Sequence, residues 1–79
     1  MDRDRRMSLI RYIFTRLATE QEMLAAEALY DSGYRHSLMV EDATDEELLA
    51  VRGIDTVRLG LVRRHYPRKP ILLMTEEDA

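Results

Sequence analysis

The chain has 79 residues, no cysteine, 46% hydrophobic and 34% charged residues, and a formal net charge of −3. That length allows one domain, the composition is too apolar for a disordered polymer, and the missing cysteines exclude disulfides and thiolate metal sites. No stretch reaches the roughly 18 apolar residues of a membrane span, and the start Met1-Asp2-Arg3-Asp4-Arg5-Arg6 is too charged for a signal peptide. The expectation is a soluble protein without a membrane partner, intracellular (cytoplasmic) or carried within a virus particle.

Residues 4–17 carry Met7, Ile10, Phe14 and Leu17 at i, i+3, i+7 and i+10, with Leu9 and Ile13 widening the stripe. This spacing predicts an amphipathic helix whose apolar face packs on a core and whose arginines lie mostly off that face. Thr19 followed by Glu22 has capping-box spacing and predicts a second helix from near residue 20. Its apolar and small positions are Met23, Leu24, Ala26, Ala28 and Leu29, and Ser32-Gly33 supplies a stop near Asp31. Tyr34 is expected to fold back onto it.

Residues 36–42 predict one or two helical turns with Ser37 as a cap. Thr44-Asp45-Glu46-Glu47 is a clearer start, with a cap at Thr44 and acids that complement the helix dipole. That helix carries Leu48, Leu49 and Val51 and stops at Gly53. Asp55 or Thr56 then caps a helix that carries Val57, Leu59, Leu61 and Val62 and runs to about His65, before Pro67 and Pro70. The tail, 68–79, holds an apolar patch, Ile71, Leu72, Leu73 and Met74, between a basic and an acidic stretch. Such a patch packs back on the domain or enters a partner.

Charge is unevenly spread. Residues 1–19 hold five arginines (Arg3, Arg5, Arg6, Arg11, Arg16), residues 20–55 hold ten acids, and residues 56–69 hold Arg58, Arg63, Arg64, Arg68 and Lys69 with no acid. Two basic segments therefore flank an acidic middle. A polyanion could meet the basic segments if they share a side, while the middle opposes a wholly electrostatic nucleic-acid binder.

Signals for chemistry are few. His36 and His65 have no partner at metal-ligand spacing, and a surface position is expected for His65 beside Arg63, Arg64 and Arg68. Ser8, Ser32 and Ser37 have no base in a nucleophile motif. No phosphate-binding glycine loop or dinucleotide fingerprint is present. The five methionines read as core filler, and Tyr12, Tyr30, Tyr34 and Tyr66 as half-buried core residues. The expectation is no enzyme, no cofactor and no small-molecule substrate.

The run Leu48-Leu49-Ala50-Val51-Arg52-Gly53-Ile54-Asp55-Thr56-Val57-Arg58-Leu59-Gly60-Leu61-Val62 resembles a helix-hairpin-helix motif, whose pattern is helix, Gly-hydrophobic-Gly, helix. Upstream, Ala28-Leu29-Tyr30-Asp31-Ser32-Gly33-Tyr34 and Thr44-Asp45-Glu46-Glu47 look like the run before the hairpin in tandem helix-hairpin-helix domains. A similar run occurs in the C-terminal domain of bacterial RNA polymerase alpha subunits. The resemblance covers roughly residues 21–66. It implies an all-α fold: a compact bundle of four or five short helices containing the hairpin (19–67), an N-terminal helix (1–18) and an extended tail (68–79). It also implies double-stranded DNA as a partner, held by its backbone without sequence reading. In this chain the contacts would be Arg52, Gly53, Arg58, Arg63, Arg64, Arg68 and Lys69. One departure weakens that: Asp55 replaces the second hairpin glycine, and a carboxylate there caps the helix and repels a phosphate. The alternative expectation is a structural or adaptor protein in a larger assembly, for example a minor structural protein of a virus particle. Its contacts with other proteins would run through the N-terminal helix and through Ile71, Leu72, Leu73 and Met74.

Overall fold

The computed structural model describes residues 3–68, and five helices with no strand lie among them. They are α1 (Arg3–Ile13), α2 (Glu20–Asp31), α3 (Ser37–Asp42), α4 (Asp45–Leu49) and α5 (Thr56–His65). The chain is therefore an all-α bundle of short helices. α2 is its centre and packs against α1 on one side and α5 on another, while α4 packs on α5.

α1 stops earlier than its apolar stripe. Regular helix ends at Ile13, yet Phe14 and Leu17 are still buried beside Ile10. A turn closed by the Leu17 amide on the Phe14 carbonyl keeps both side chains on the core. The Arg16 amide is taken by the Tyr66 hydroxyl at 3.0 Å, which holds the α1 end against the α5 end. Leu9 is 38% exposed and does not join the core.

α2 has the capping box its sequence predicts. Thr19 accepts from the Glu22 amide, and the Glu22 carboxylate accepts from the Thr19 amide in return. The helix ends at Asp31 with Gly33 at φ +100. The Tyr34 amide reaches the Leu29 carbonyl and the Gly33 amide reaches the Tyr30 carbonyl, a Schellman closure that needs the left-handed residue at Gly33. Tyr34 folds back onto the core as a half-buried residue. Met23, Ala25, Ala26, Leu29 and Tyr30 are the buried apolar residues of α2; Leu24 points outward.

α3 is capped by His36, not by Ser37: the His36 Nδ1 accepts from the Leu38 amide at 3.1 Å. A ring nitrogen one residue earlier does the work expected of the serine hydroxyl. Only Val40 of this helix is buried. α4 carries a second capping box, Thr44 with Glu47. It ends at Leu49, and the next six residues form the turn into α5.

Among the described residues the core comprises fifteen buried apolar residues from all five helices and their turns, with Phe14, Ile10, Leu29, Leu48, Val40 and Val62 the largest fully covered. Phe14 and Tyr66 meet edge to face at 6.2 Å between ring centres.

Candidate functional site

The α4–α5 turn is built around a close approach. Gly53 has φ +96, and a Cβ there would lie 3.1 Å from the Ala28 Cβ of α2. Glycine is needed both for its backbone conformation and for the space. Ile54, next in the chain, is buried and anchors the turn to the core.

Asp55 caps α5. Its carboxylate accepts from the Arg58 amide at 2.8 Å, so one of the amides that would face a ligand at the helix start already has a partner. The Arg58 guanidinium turns back as well. It donates to the Gly53 carbonyl at 2.9 Å and reaches the Gln21 side-chain oxygen of α2 at 3.4 Å. Arg58 thus braces the turn from outside.

Arg63 is fixed by other partners. Its guanidinium donates to the Asp45 carboxylate at 2.8 Å and to the carbonyls of Val40 at 2.9 Å, Ala43 at 2.6 Å and Tyr66 at 3.2 Å. These bonds engage four of its five N–H groups. One side chain thereby ties the end of α3, the start of α4 and the end of α5 together. Arg52, Arg64 and Arg68 are exposed. At about 100° per residue, Arg58, Arg63 and Arg64 spread around α5, with roughly 140° between the first two. The α5 arginines therefore do not form one continuous face. Lys69 and the apolar residues Ile71, Leu72, Leu73 and Met74 lie outside the described residues.

His65 is not a plain surface residue. Its Nε2 lies 3.0 Å from a Glu22 carboxylate oxygen, and its side chain is half-buried. The other Glu22 oxygen accepts from the backbone amides of Ala18 and Thr19. The Ala18 amide, then the Thr19 amide, hold the Glu22 carboxyl down to about 2; burial acts against them and His65 adds to them. Glu22 thus closes the α2 start and receives the α5 end. Sequence spacing shows the first role only, because His65 is 43 residues away.

A second surface surrounds α3. Leu38 is 47% and Met39 46% exposed, neighbours in a helix that buries only Val40. Two clefts flank it. One, of about 390 Å³, is lined by Tyr12, Ile13, Arg35, His36 and Ser37; the other, of about 320 Å³, by Tyr34, Met39, Asp42, Ala43 and Glu47. Tyr12 is 79% exposed at the first cleft, unlike the buried Tyr30 and Tyr66. The Arg35 guanidinium stacks on the Tyr30 ring at 3.9 Å, while Arg6 approaches the same ring at 5.4 Å and pairs with Asp31 at 2.8 Å. Nothing in the sequence marks this surface, since Leu38-Met39-Val40 reads equally well as buried helix.

Among the described residues no group of three or more His, Asp or Glu side chains is placed to hold a metal, and no helix is long and apolar enough to cross a membrane. Compared with protein-family models, curated proteins and solved structures, the chain matches none.

Proposed function

We propose that this chain is a non-enzymatic docking module that contacts other proteins within a larger assembly, through the surface around α3. The observation that carries this reading is the exposure of Leu38, Met39 and Tyr12 around a helix flanked by two clefts. Large exposed apolar side chains favour being covered, at about 25 cal/mol per Å² removed from water. The α5 arginines argue the same way, because Arg58 and Arg63 already have partners within the domain.

A photo-crosslinking aromatic residue in place of Tyr12 tests it. The same residue in place of Val57, 68% exposed at the start of α5, is the control. In the native cellular setting the reading expects protein adducts from position 12 and none from position 57. Adducts from position 57 alone would overturn it.

A second reading keeps the α4–α5 unit as a helix-hairpin-helix that contacts DNA backbone. What favours it is the left-handed Gly53, the buried Ile54 after it, and the exposed Arg52, Arg64 and Arg68. Its binding would fall steeply with salt and weaken in Arg52→Glu and Arg64→Glu variants. A gel-shift series that shows no complex at about 50 mM salt would remove it.

A further inference from the structure

We propose that the α3 surface is covered within the chain by its own segment 71–78, the apolar residues 71–74 over Leu38 and Met39 and the acids Glu76, Glu77 and Asp78 at the first cleft. This rests on the reading of that surface as one that proteins cover, and names the occupant that a partner must displace.

The chain leaves the bundle beside α3. The Tyr66 carbonyl accepts from the same Arg63 guanidinium as the Val40 and Ala43 carbonyls, so residue 67 starts at the C-terminal end of α3. The Tyr66 hydroxyl accepts from the Arg16 amide, just past the end of α1. The exit is thus tied to both helices whose residues line the first cleft. The six residues of α3 span roughly 9 Å. Five extended residues from Tyr66 reach at most about 17 Å, which brings residue 71 level with Met39 and Leu38, and ten reach about 33 Å, which carries Glu76 past the start of α3.

The order of residues beyond the exit matches the order of groups along the surface. The segment reads Ile71-Leu72-Leu73-Met74-Thr75-Glu76-Glu77-Asp78. From the exit toward the first cleft, the surface presents Met39 and Leu38, both exposed, and then Arg35. No carboxylate lines that cleft; Tyr12, Ile13, Arg35, His36 and Ser37 do. Arg35 supplies the positive charge. The face of its guanidinium rests on the Tyr30 ring at 3.9 Å, which leaves the N–H edges for a carboxylate. His36 serves as a neutral donor: its Nδ1 accepts from the Leu38 amide, so its proton is on Nε2. The match needs no protonated imidazole and no acid of α3. The second cleft, which holds Asp42 and Glu47, would repel the same segment.

A separate partner meets this surface at its own concentration. A tethered segment meets it at an effective concentration on the order of 1 mM, so a contact too weak to join two molecules is still populated within one.

Thr75→Cys in the full chain, carrying a nitroxide, tests this; the chain has no other cysteine to take the label. Broadening of amide NMR signals should be strongest at residues 35–39 and 12–13. Arg35→Glu should remove most of it, and Glu76→Lys, Glu77→Lys and Asp78→Lys added to Arg35→Glu should restore it. Leu72→Ser with Leu73→Ser, without any label, should shift the same amides. Circular dichroism checks that each variant is folded. Broadening strongest elsewhere, or a folded Arg35→Glu chain that keeps it, would overturn the inference. So would equal broadening of an isotope-labelled chain by a separate nitroxide-labelled copy, which would mean exchange between molecules. Adducts to other proteins from position 12 with no broadening on α3 would overturn the tail contact alone. Broadening on α3 with position-12 adducts only to residues 71–78 would uphold the tail contact and overturn the docking reading.

Discussion

The Arg63 guanidinium of α5 lies 2.8 Å from the Asp45 carboxylate at the start of α4. The ion pair is the smaller part of what Arg63 does, because Asp45 is 62% exposed and water screens it. The larger part is its donation to the carbonyls of Val40 and Ala43 at the end of α3, where carbonyls run short of helical partners and the Val40 oxygen otherwise takes a long 3.3 Å bond from the Ala43 amide. Arg63→Gln should therefore cost about 2–3 kcal/mol, or roughly 10–20 °C in Tm for a domain of this size. Asp45→Asn should cost less than about 1 kcal/mol. Arg64→Gln, at an exposed position, should leave the melting curve nearly unchanged. Thermal melts of the three variants separate the structural arginine from its neighbour.

The three glycines should respond differently to alanine. Gly53→Ala combines the left-handed backbone with a contact at 3.1 Å to Ala28, and should be the most damaging, at about 2 kcal/mol or more. Gly33→Ala meets open space at φ +100 and should cost about 1–2 kcal/mol from the backbone alone. Gly60→Ala lies within α5 with nothing nearby and should stabilise by about 0.5–1 kcal/mol. Urea midpoints in the order Gly60→Ala, unaltered chain, Gly33→Ala, Gly53→Ala are the expected result.

Glu22 makes stability depend on acid. Its carboxyl is held at about 2 in the folded chain against an ordinary 4.5. A carboxyl with a depressed folded value stabilises the fold at every pH above its unfolded value, and that stabilisation is lost as pH falls. The loss should run from about 4.5 down toward 2. Glu22→Gln should be less stable than the unaltered chain at pH 7 and should flatten the fall between those pH values. Denaturant midpoints across the acid range would reveal it.

Asp55 separates capping from ligand repulsion. Asp55→Ala removes the acceptor of the Arg58 amide and should cost about 1 kcal/mol. Asp55→Gly restores the glycine of the hairpin pattern and should cost only a few tenths of that scale as a cap. Chemical denaturation should therefore rank Asp55→Gly above Asp55→Ala, even though glycine has the smaller side chain.

The sequence was most readable where structure is local. Both capping boxes, Thr19 with Glu22 and Thr44 with Glu47, link residues three apart, and the side chains required are specified by that spacing alone. Gly33 and Gly53 were legible as turns for the same reason. The end of α1 was not, because an apolar stripe at helical spacing can also be kept on the core by a tight turn, as at Phe14 and Leu17. His36 displaced Ser37 as a cap because an imidazole nitrogen can accept the same amide. The roles of Arg63 and His65 are hidden, since all partners of these side chains but the Tyr66 carbonyl lie 18 to 43 residues away and nothing local distinguishes a bracing arginine from a solvated one. For Arg58, brace and ligand contact read alike, because the same positive charge after a turn serves either. The α3 surface is not legible, because exposure of Leu38 and Met39 follows from how α3 is set on the rest of the fold, not from its own six residues.

The central claim is that contacts run through α3 and not through the α4–α5 turn. Its most direct test is an amide NMR titration of the full chain with a short DNA duplex at about 50 mM salt, where backbone contacts are strongest. The account predicts no saturable shifts for the amides of residues 52–58. Saturable shifts there that vanish as salt rises would contradict it and return the function to the hairpin.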